Sequence, residues 1–524
     1  MIDAWMAGLV PAIHVVSVFA SKTWMPGTRV YTWARRRRDR VPAMTKVRTT
    51  HLVNTTQSLP AVTRGELFGH PRGLTFLFTT EMWERFSYYG MRSLLVLYMT
   101  KFLLLEDHFG SVIGLAALKR ALESVFGPLD VQPLSSQIWG LYTGLVYFTP
   151  IFGGLLADRV LGQRRTVVVG AVLMAFGHFM MAVEQLFLFA LLALILGSGC
   201  FKPNISTQVG GLYAPGDARR DRAYSIFYVG INLGAFLAPL VCGTLGEGVG
   251  WHYGFAAAGV GMVIGLCIYL YALPLLPTDE MHKTQAAHVA RKPLDASERR
   301  AVVALLALFV PNSLFWAAYE QMGNTIILWA DAYTDHGIDP LHLSGLSAEL
   351  PTTWFLAVNP FMIFAFTPFV VALWARQAAR GTEPSTITKM ALGCFGVAAA
   401  YLIMVAAALS VSDFAGGWSG GATEEAGKAS WLWLFAYFVV ITLGELYLSP
   451  VGLSFVTKVA PARLISLMMG LWLATSFTGG FLSGYIGSFW SRMAKPEFFL
   501  LVAGVAAVAG VMIVGCRWVV KFED

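Results

Sequence analysis

The sequence predicts an all-α membrane protein, with twelve transmembrane helices in two six-helix bundles. Three observations carry that expectation. Of its 524 residues, 56% are hydrophobic and 13% charged, about half the charged share of an ordinary soluble domain. Apolar runs of roughly 20 residues, the length that crosses a bilayer core as a helix, recur from end to end. The longest polar insert between them, residues 278–300, separates two sets of six runs.

Taken in order, residues 1–70 form a basic N-terminal extension. An apolar run at 4–20 is broken by Pro11 and His14 and followed by Arg35-Arg36-Arg37-Arg38. It opens on Asp3 instead of a basic lead, so it makes a poor signal peptide. Sequence upstream of a start at Met44 is the first reading, ahead of a short anchor or an interfacial helix. The first bundle, 71–277, begins with a span near 74–102. An amphipathic piece, Leu115–Phe126, reads as a short surface helix. Span two ends in Gly153-Gly154-Leu-Leu-Ala-Asp158-Arg159-Val-Leu-Gly162-Gln-Arg164-Arg165. Spans three to six lie near 166–185, 186–207, 223–246 and 252–275, with a glycine-rich turn at 246–250. The linker, 278–300, is polar and basic. The second bundle, 301–524, repeats the plan near 301–331, 352–376, 386–410, 431–457, 464–490 and 496–519. The insert 412–430 suits an outer loop.

The net charge of +7 does not point to nucleic acid, because the clustered cations occupy short loops where they set orientation. Arg159, Arg164, Arg165, Arg219, Arg220, Arg222 and the linker cations place the even-numbered span ends and both termini in the cytoplasm. The cysteines Cys200, Cys242, Cys267, Cys394 and Cys516 lack metal spacing and suggest no disulfide framework. No cofactor or metal is expected. A faint repeat pairs Tyr88-Tyr89-Gly90-Met91-Arg92 with Tyr319-Glu320-Gln321-Met322-Gly323, as parallel-repeat transporters show.

The chemistry concentrates in span one, Glu81-Met-Trp-Glu84-Arg85-Phe86-Ser87-Tyr88-Tyr89-Gly90-Met91-Arg92. At about 100° per residue, Glu81, Glu84, Arg85, Tyr88 and Arg92 share one stripe. Charges inside a span are costly and face a bundle interior or a wet cavity. Lys202 in span four, Glu320 in span seven and Glu445 in span ten are further intramembrane ions. Asn232 and Asn359 suit either a site or interhelical hydrogen bonds. Cations and acids should pair across helices, since neither is tolerable alone, and protonating an acid would break its pair. A cavity with acids on one side and cations on the other suits a zwitterion. Tyr88, Tyr89, Tyr147, Trp316 and Trp472 supply amphipathic walls.

At these motifs the chain resembles the proton-dependent oligopeptide transporter (POT/PTR) family, within the major facilitator superfamily. The matching stretches are Glu81-x-x-Glu84-Arg85, the 153–165 signature, Phe201-Lys202-Pro203-Asn204, Phe227-Tyr-x-x-Ile-Asn232-x-Gly234 and Gly444-Glu445-Leu-x-x-Ser449-Pro450. They span residues 70–520. The resemblance implies proton-coupled import of di- and tripeptides by alternating access, in a bacterial plasma (inner) membrane, by a protein functional as a monomer. It implies that Glu445 and Asn359 hold the peptide amino group, with Asn232 and Ser449 also at the peptide. Arg92 and Lys202 would hold its carboxylate, and Tyr88, Tyr89, Tyr147, Trp316 and Trp472 would surround it. Arg92–Glu320 would be the outer gate pair and Lys202–Glu445 the inner one. Glu81, Glu84, Arg85 and Glu320 would couple the proton. The linker is too short for the extra helix pair of many bacterial members. Animal members carry a histidine in span two, and none occurs between His108 and His178 here, so coupling would rest on carboxylates.

The nearer rival is a proton-coupled carrier of another small anion or drug-like solute on the same fold. An enzyme is not expected, because the ten histidines show no ligand spacing. A channel is not expected either, since charge pairs between two halves fit rocking gates better than a pore ring.

Overall fold

The computed structural model describes residues 65–214, 216–279, 295–337, 349–411, 427–461 and 464–519. Expectations for residues 1–64, for most of the linker and for the bulk of the 412–430 insert lie outside them.

Among the described residues, nine helical segments are long and apolar enough to cross a membrane. They are Val131–Leu161, Glu184–Gly211, Arg219–Gly248, Trp251–Leu275, Ala296–Tyr333, Thr352–Ala379, Thr386–Val411, Leu432–Val459 and Lys495–Cys516. Arg72–Tyr98 precedes them, and Gln163–Met180 and Ile465–Gly487 fall between them, as long helices in the expected order. Arg72–Tyr98 stands apart from the nine because Glu81, Glu84 and Arg85 occupy its middle. In chain order these segments are numbered spans one to twelve. The surface helix forms at Leu115–Phe126, with Gly114 in the left-handed region before it.

Local chemistry sets the ends and the breaks. Span seven starts with a capping box, in which Glu298 N donates to Asp295 Oδ1 (2.7 Å) and Asp295 N donates to Glu298 Oε2 (3.1 Å). The same span breaks into a 3-10 turn at Glu320–Gly323 before resuming at Thr325. A wide π-turn ends span two at Ala157–Leu161 and another interrupts span five at Pro239–Gly243, a distortion often found at working sites.

Two apolar cores organise the helices. One gathers spans one to six around Met91, Trp139, Tyr142, Phe201 and Phe255. The other gathers spans seven to twelve around Phe315, Met390, Tyr401, Phe438 and Phe499. The halves meet along two seams. Spans two and eleven touch backbone to backbone, because a Cβ at Gly140 would lie 2.6 Å from the Gly484 Cα and one at Gly480 2.9 Å from the Gly144 N. Small residues permit such close approach in membrane helices. Spans five and eight meet where a Cβ at Gly243 would lie 1.8 Å from Thr353 Oγ1.

Polar links between the halves gather at one end of the molecule. Gln132 Nε2 donates to Gly487 O (3.0 Å), Ser136 Oγ to Asn324 Oδ1 (2.9 Å), and Lys101 Nζ lies 2.5 Å from Asp331 Oδ1. Ser491 N donates to Gln132 Oε1 (3.1 Å) and Arg492 to Pro128 O (2.6 Å). The opposite end carries Arg159, Arg164, Arg165, Arg219, Arg220 and Arg222. There, hydrogen bonds of these arginines among the described residues stay within the first half: Arg164 Nε donates to Pro277 O (2.7 Å) and Arg219 Nη1 to Glu66 Oε1 (2.7 Å).

Candidate functional site

Span one packs its Phe78, Met82 and Phe86 face on spans five and six, which leaves the charged stripe, on another side of the 3.6-residue period, turned toward spans two and seven. Glu81, Glu84 and Arg85 are all buried. Arg85 grips both acids: Nη2 lies 2.6 Å from Glu84 Oε1, and Nε contacts Glu84 Oε2 and lies 3.3 Å from Glu81 Oε1. Its guanidinium stands 5.1 Å from the centre of the Tyr88 ring. Two carboxylates on one cation leave the trio one charge negative when both are ionised. Glu81 Oε2 is buried without a hydrogen-bond partner among the described residues. Gly234 explains part of the span-five motif structurally, since a Cβ there would come within 2.2 Å of the Met82 carbonyl.

Arg92 lies two turns beyond Arg85 on the same stripe and crosses to the other half. Its Nη2 contacts Glu320 Oε2 at the break in span seven. The Trp139 ring lies 5.0 Å from the Arg92 guanidinium and the Tyr89 ring 5.9 Å, close enough for cation–π attraction. The repeat noted above aligns Arg92 with Gly323. A side chain at Gly323 would collide with Trp139, at 2.6 Å, and crowd Arg92, at 3.6 Å. One half of the repeat supplies the arginine and the other vacates room for it. The broken span is buttressed from span nine, where Tyr401 donates to the Ala318 carbonyl (2.8 Å) and receives a hydrogen bond from Tyr437 (3.0 Å).

Lys202 and Glu445 are arranged differently. Lys202 Nζ sits 4.4 Å over the Tyr147 ring. Glu445 Oε2 accepts from the Tyr319 hydroxyl (2.6 Å) and from Asn359 Nδ2 (3.1 Å). Asn359 is steadied by Thr442, 2.9 Å away. Among the described residues neither ion forms a salt bridge, so the expected Lys202–Glu445 pair is not made in this conformation. The reason lies in the global arrangement: the halves are clasped at the far end, and Lys202 belongs to one half and Glu445 to the other. Both side chains are half-buried, as are Tyr89, Tyr147, Trp316 and Ser449. A cation of one half and an acid of the other are thus left without an ionic partner among the described residues.

Other expected residues fall as follows. Tyr88 is buried edge-on against Tyr89, with ring centres 5.2 Å apart. Asn232 is buried and its Nδ2 donates to its own helix at Tyr228 O (3.0 Å), leaving its carbonyl for another partner. Trp472 is not a wall. It is 4% exposed, and a Cβ at Gly452 would lie 2.4 Å from its ring, so it fills a glycine notch in the second core. Sequence reasoning assigned no role to Tyr319 or Trp139. Tyr319 adjoins Glu320 but points about 100° away around the helix, and its partner is 126 residues distant in the chain.

Comparison with known proteins adds a family. Residues 164–291 and 275–501 match the model described as "POT family". A di-/tripeptide transporter of Lactococcus lactis subsp. cremoris is 33% identical over 512 residues, covering 86% of this chain and 96% of that protein. The peptide transporter YePEPT of Yersinia enterocolitica subsp. palearctica is 34% identical, over 80% of this chain and 88% of its own. Among solved structures, a peptide transporter POT in complex with sulfate superposes with a TM-score of 0.71 at 31% identity, covering 87% of this chain and 96% of that one. A POT family transporter in complex with 5-aminolevulinic acid gives 0.70 at 27%, covering 86% and 97%.

Proposed function

The chain belongs to the POT family, a multi-pass membrane transporter of the major facilitator fold, and from that premise we propose that it is a proton-coupled symporter importing di- and tripeptides by alternating access. The observation that carries the reading is the unmatched pair: Lys202 from one half and Glu445 from the other, each without a salt bridge among the described residues. A peptide brings the two charges they lack. Its ammonium suits Glu445, which Tyr319 and Asn359 hold in place, with Asn232 and Ser449 as further contacts of the peptide. Its carboxylate suits Lys202 and, once freed, Arg92.

The proton has a seat in the Glu81–Glu84–Arg85 trio and a gate in Arg92–Glu320. Protonating Glu320 removes the charge that holds Arg92, so the pair parts and the guanidinium becomes free for the peptide carboxylate. A like event at Glu81 relieves the surplus negative charge around Arg85. Cytoplasmic placement of the arginine-rich end follows the positive-inside rule. The clasped end then faces outward and the twelve spans rest inward-open, in a bacterial inner membrane with both termini inside and the monomer as the working unit. No cofactor enters this scheme, and the chain acts as a carrier, not an enzyme.

The test is uptake of labelled dialanine into proteoliposomes, with and without an inward proton gradient, challenged by unlabelled tripeptide. Gradient-driven uptake that tripeptide competes away is the expected result. Absence of uptake by folded protein would replace the peptide reading with a carrier of another small anion or drug-like solute.

A further inference from the structure

A second charged contact between the halves lies outside the site just described. Glu247, at the end of span five, reaches the first turn of span eight. Its Oε2 accepts from Thr352 N (2.8 Å), and its Oε1 accepts from Thr353 N (2.9 Å) and Thr353 Oγ1 (2.6 Å). The first amides of a helix have no partner within it and lie at the positive end of its dipole. A carboxylate there is well matched. What is unusual is its origin, since the cap comes from the other half of the molecule. Span eight has no side-chain cap of its own at Pro351.

The surroundings are shaped for this contact. Span five opens into the π-turn Pro239–Gly243 one turn before Glu247. Gly243 leaves the notch that Thr353 Oγ1 enters, and Trp354 Nε1 donates to Thr244 Oγ1 (2.8 Å). Asp331, paired with Lys101, also accepts from Thr352 Oγ1 (3.4 Å). The contacts of Glu247, Thr244 and Lys101 join the two halves at the clasped end and cannot survive their separation.

We propose that Glu247 is a positioning residue for transport, a latch that favours the state in which this end is shut by capping span eight across the seam. The proposal rests on the alternating-access reading above. When the clasped end opens, Thr352 and Thr353 lose their acceptor and Glu247 is released to water. The latch therefore biases the resting state of the carrier without touching peptide or proton.

Amide hydrogen exchange of the full-length protein tests this at two places. One is the capped turn, Thr352 and Thr353. The other is Ser491, whose amide bonds Gln132 on the opposite seam between spans two and eleven. Loss of hydrogen bonds to a charged acceptor corresponds to about a tenfold change in population. Glu247→Gln should raise exchange about tenfold at both places, while residues 390–404 in the second core stay protected. Gly243→Ala, which blocks the notch, should do the same; if it does not fold, Glu247→Gln alone decides. Faster exchange at 352–353 only means a local cap and overturns the latch, and so does no change at either place. Glu320→Gln is the reference. If it speeds exchange at Ser491 while Glu247→Gln does not, the latch fails and rocking stands. If neither variant moves Ser491, rocking of the halves fails as well.

Discussion

Arg92–Glu320 and Lys202–Glu445 have the same composition, a cation from the first half and an acid from the second, yet they are found in opposite states. Arg92 and Glu320 are buried and in contact. Lys202 and Glu445 stand apart, one over an aromatic ring and the other held by two neutral donors. Charge sign alone does not explain this, because each pair sets one cation against one carboxylate. Position does: Arg92 meets Glu320 near the end where the halves are clasped. The difference teaches that a charge can be stabilised in two ways in this interior. In the mechanism proposed above, a direct partner closes a gate, while neutral donors hold a charge ready for a partner that arrives later.

The comparison can be broken most forcefully at the joined pair. Arg92→Leu leaves Glu320 buried and unpaired, a loss of about 3–5 kcal/mol that should appear as a large fall in Tm together with loss of uptake. Lys202→Leu removes an ion with no salt bridge and should lower Tm far less while still abolishing peptide binding. Equal falls in Tm would erase the distinction drawn here. Glu320→Gln keeps the shape of the gate but not its charge. It should abolish gradient-driven uptake and spare peptide counterflow, and gradient-driven accumulation by this variant would remove Glu320 from coupling.

Smaller changes sharpen the other side. Glu445→Gln should weaken dialanine binding by tenfold or more with little change in Tm, because Tyr319 and Asn359 still find an amide oxygen to donate to. Tyr319→Phe removes one charge-assisted hydrogen bond, about 1.5–3 kcal/mol. It should shift peptide Kd about tenfold, read by calorimetric titration.

The weakest effect serves as a control on acidity. His70 lies outside the spans, hydrogen-bonded to Tyr213 (2.7 Å) within the first half. Burial, aided by Arg219, holds its pKa below the ordinary 6.5. The unfolded chain therefore takes up a proton that the folded chain resists, and stability falls as pH drops through about 6.5. His70→Gln should flatten that slope in a Tm–pH series and leave the pH dependence of uptake intact. A change in the uptake profile would mean that acid acts outside the gates.

Much of the fold was legible because its signal is local. Apolar length, the amphipathic pattern of Leu115–Phe126 and the glycine-rich turn before Trp251 each depend on neighbours in sequence. The charged stripe of span one was legible for the same reason, as were the unlike charges placed on facing halves. What stayed hidden depends on shape across the seam. Trp472 reads as a wall until Gly452 is seen to receive it. Tyr319 reads as one more membrane tyrosine until Glu445 is seen beside it. The separation of Lys202 from Glu445 is a property of one conformation, and a sequence encodes every conformation the protein visits. Glu247 reads as an ordinary loop acid, because the helix it caps begins 105 residues later.

The glycine seam between spans two and eleven has a bearing on speed. Where Gly140 faces Gly484 and Gly144 faces Gly480, surfaces meet as bare backbone. Elsewhere in a packed interior, parting two faces means that interlocked side chains must leave and regain their rotamers together. At these four glycines no side chains of their own interlock, and Phe148 against Phe477 is the ring contact that parting this seam has to undo, so the faces can separate and rejoin with less friction than a fully interdigitated pair. The barrier to turning over is then set by breaking ion pairs and capping contacts, which a proton or a peptide can influence, and hardly at all by repacking, which neither can.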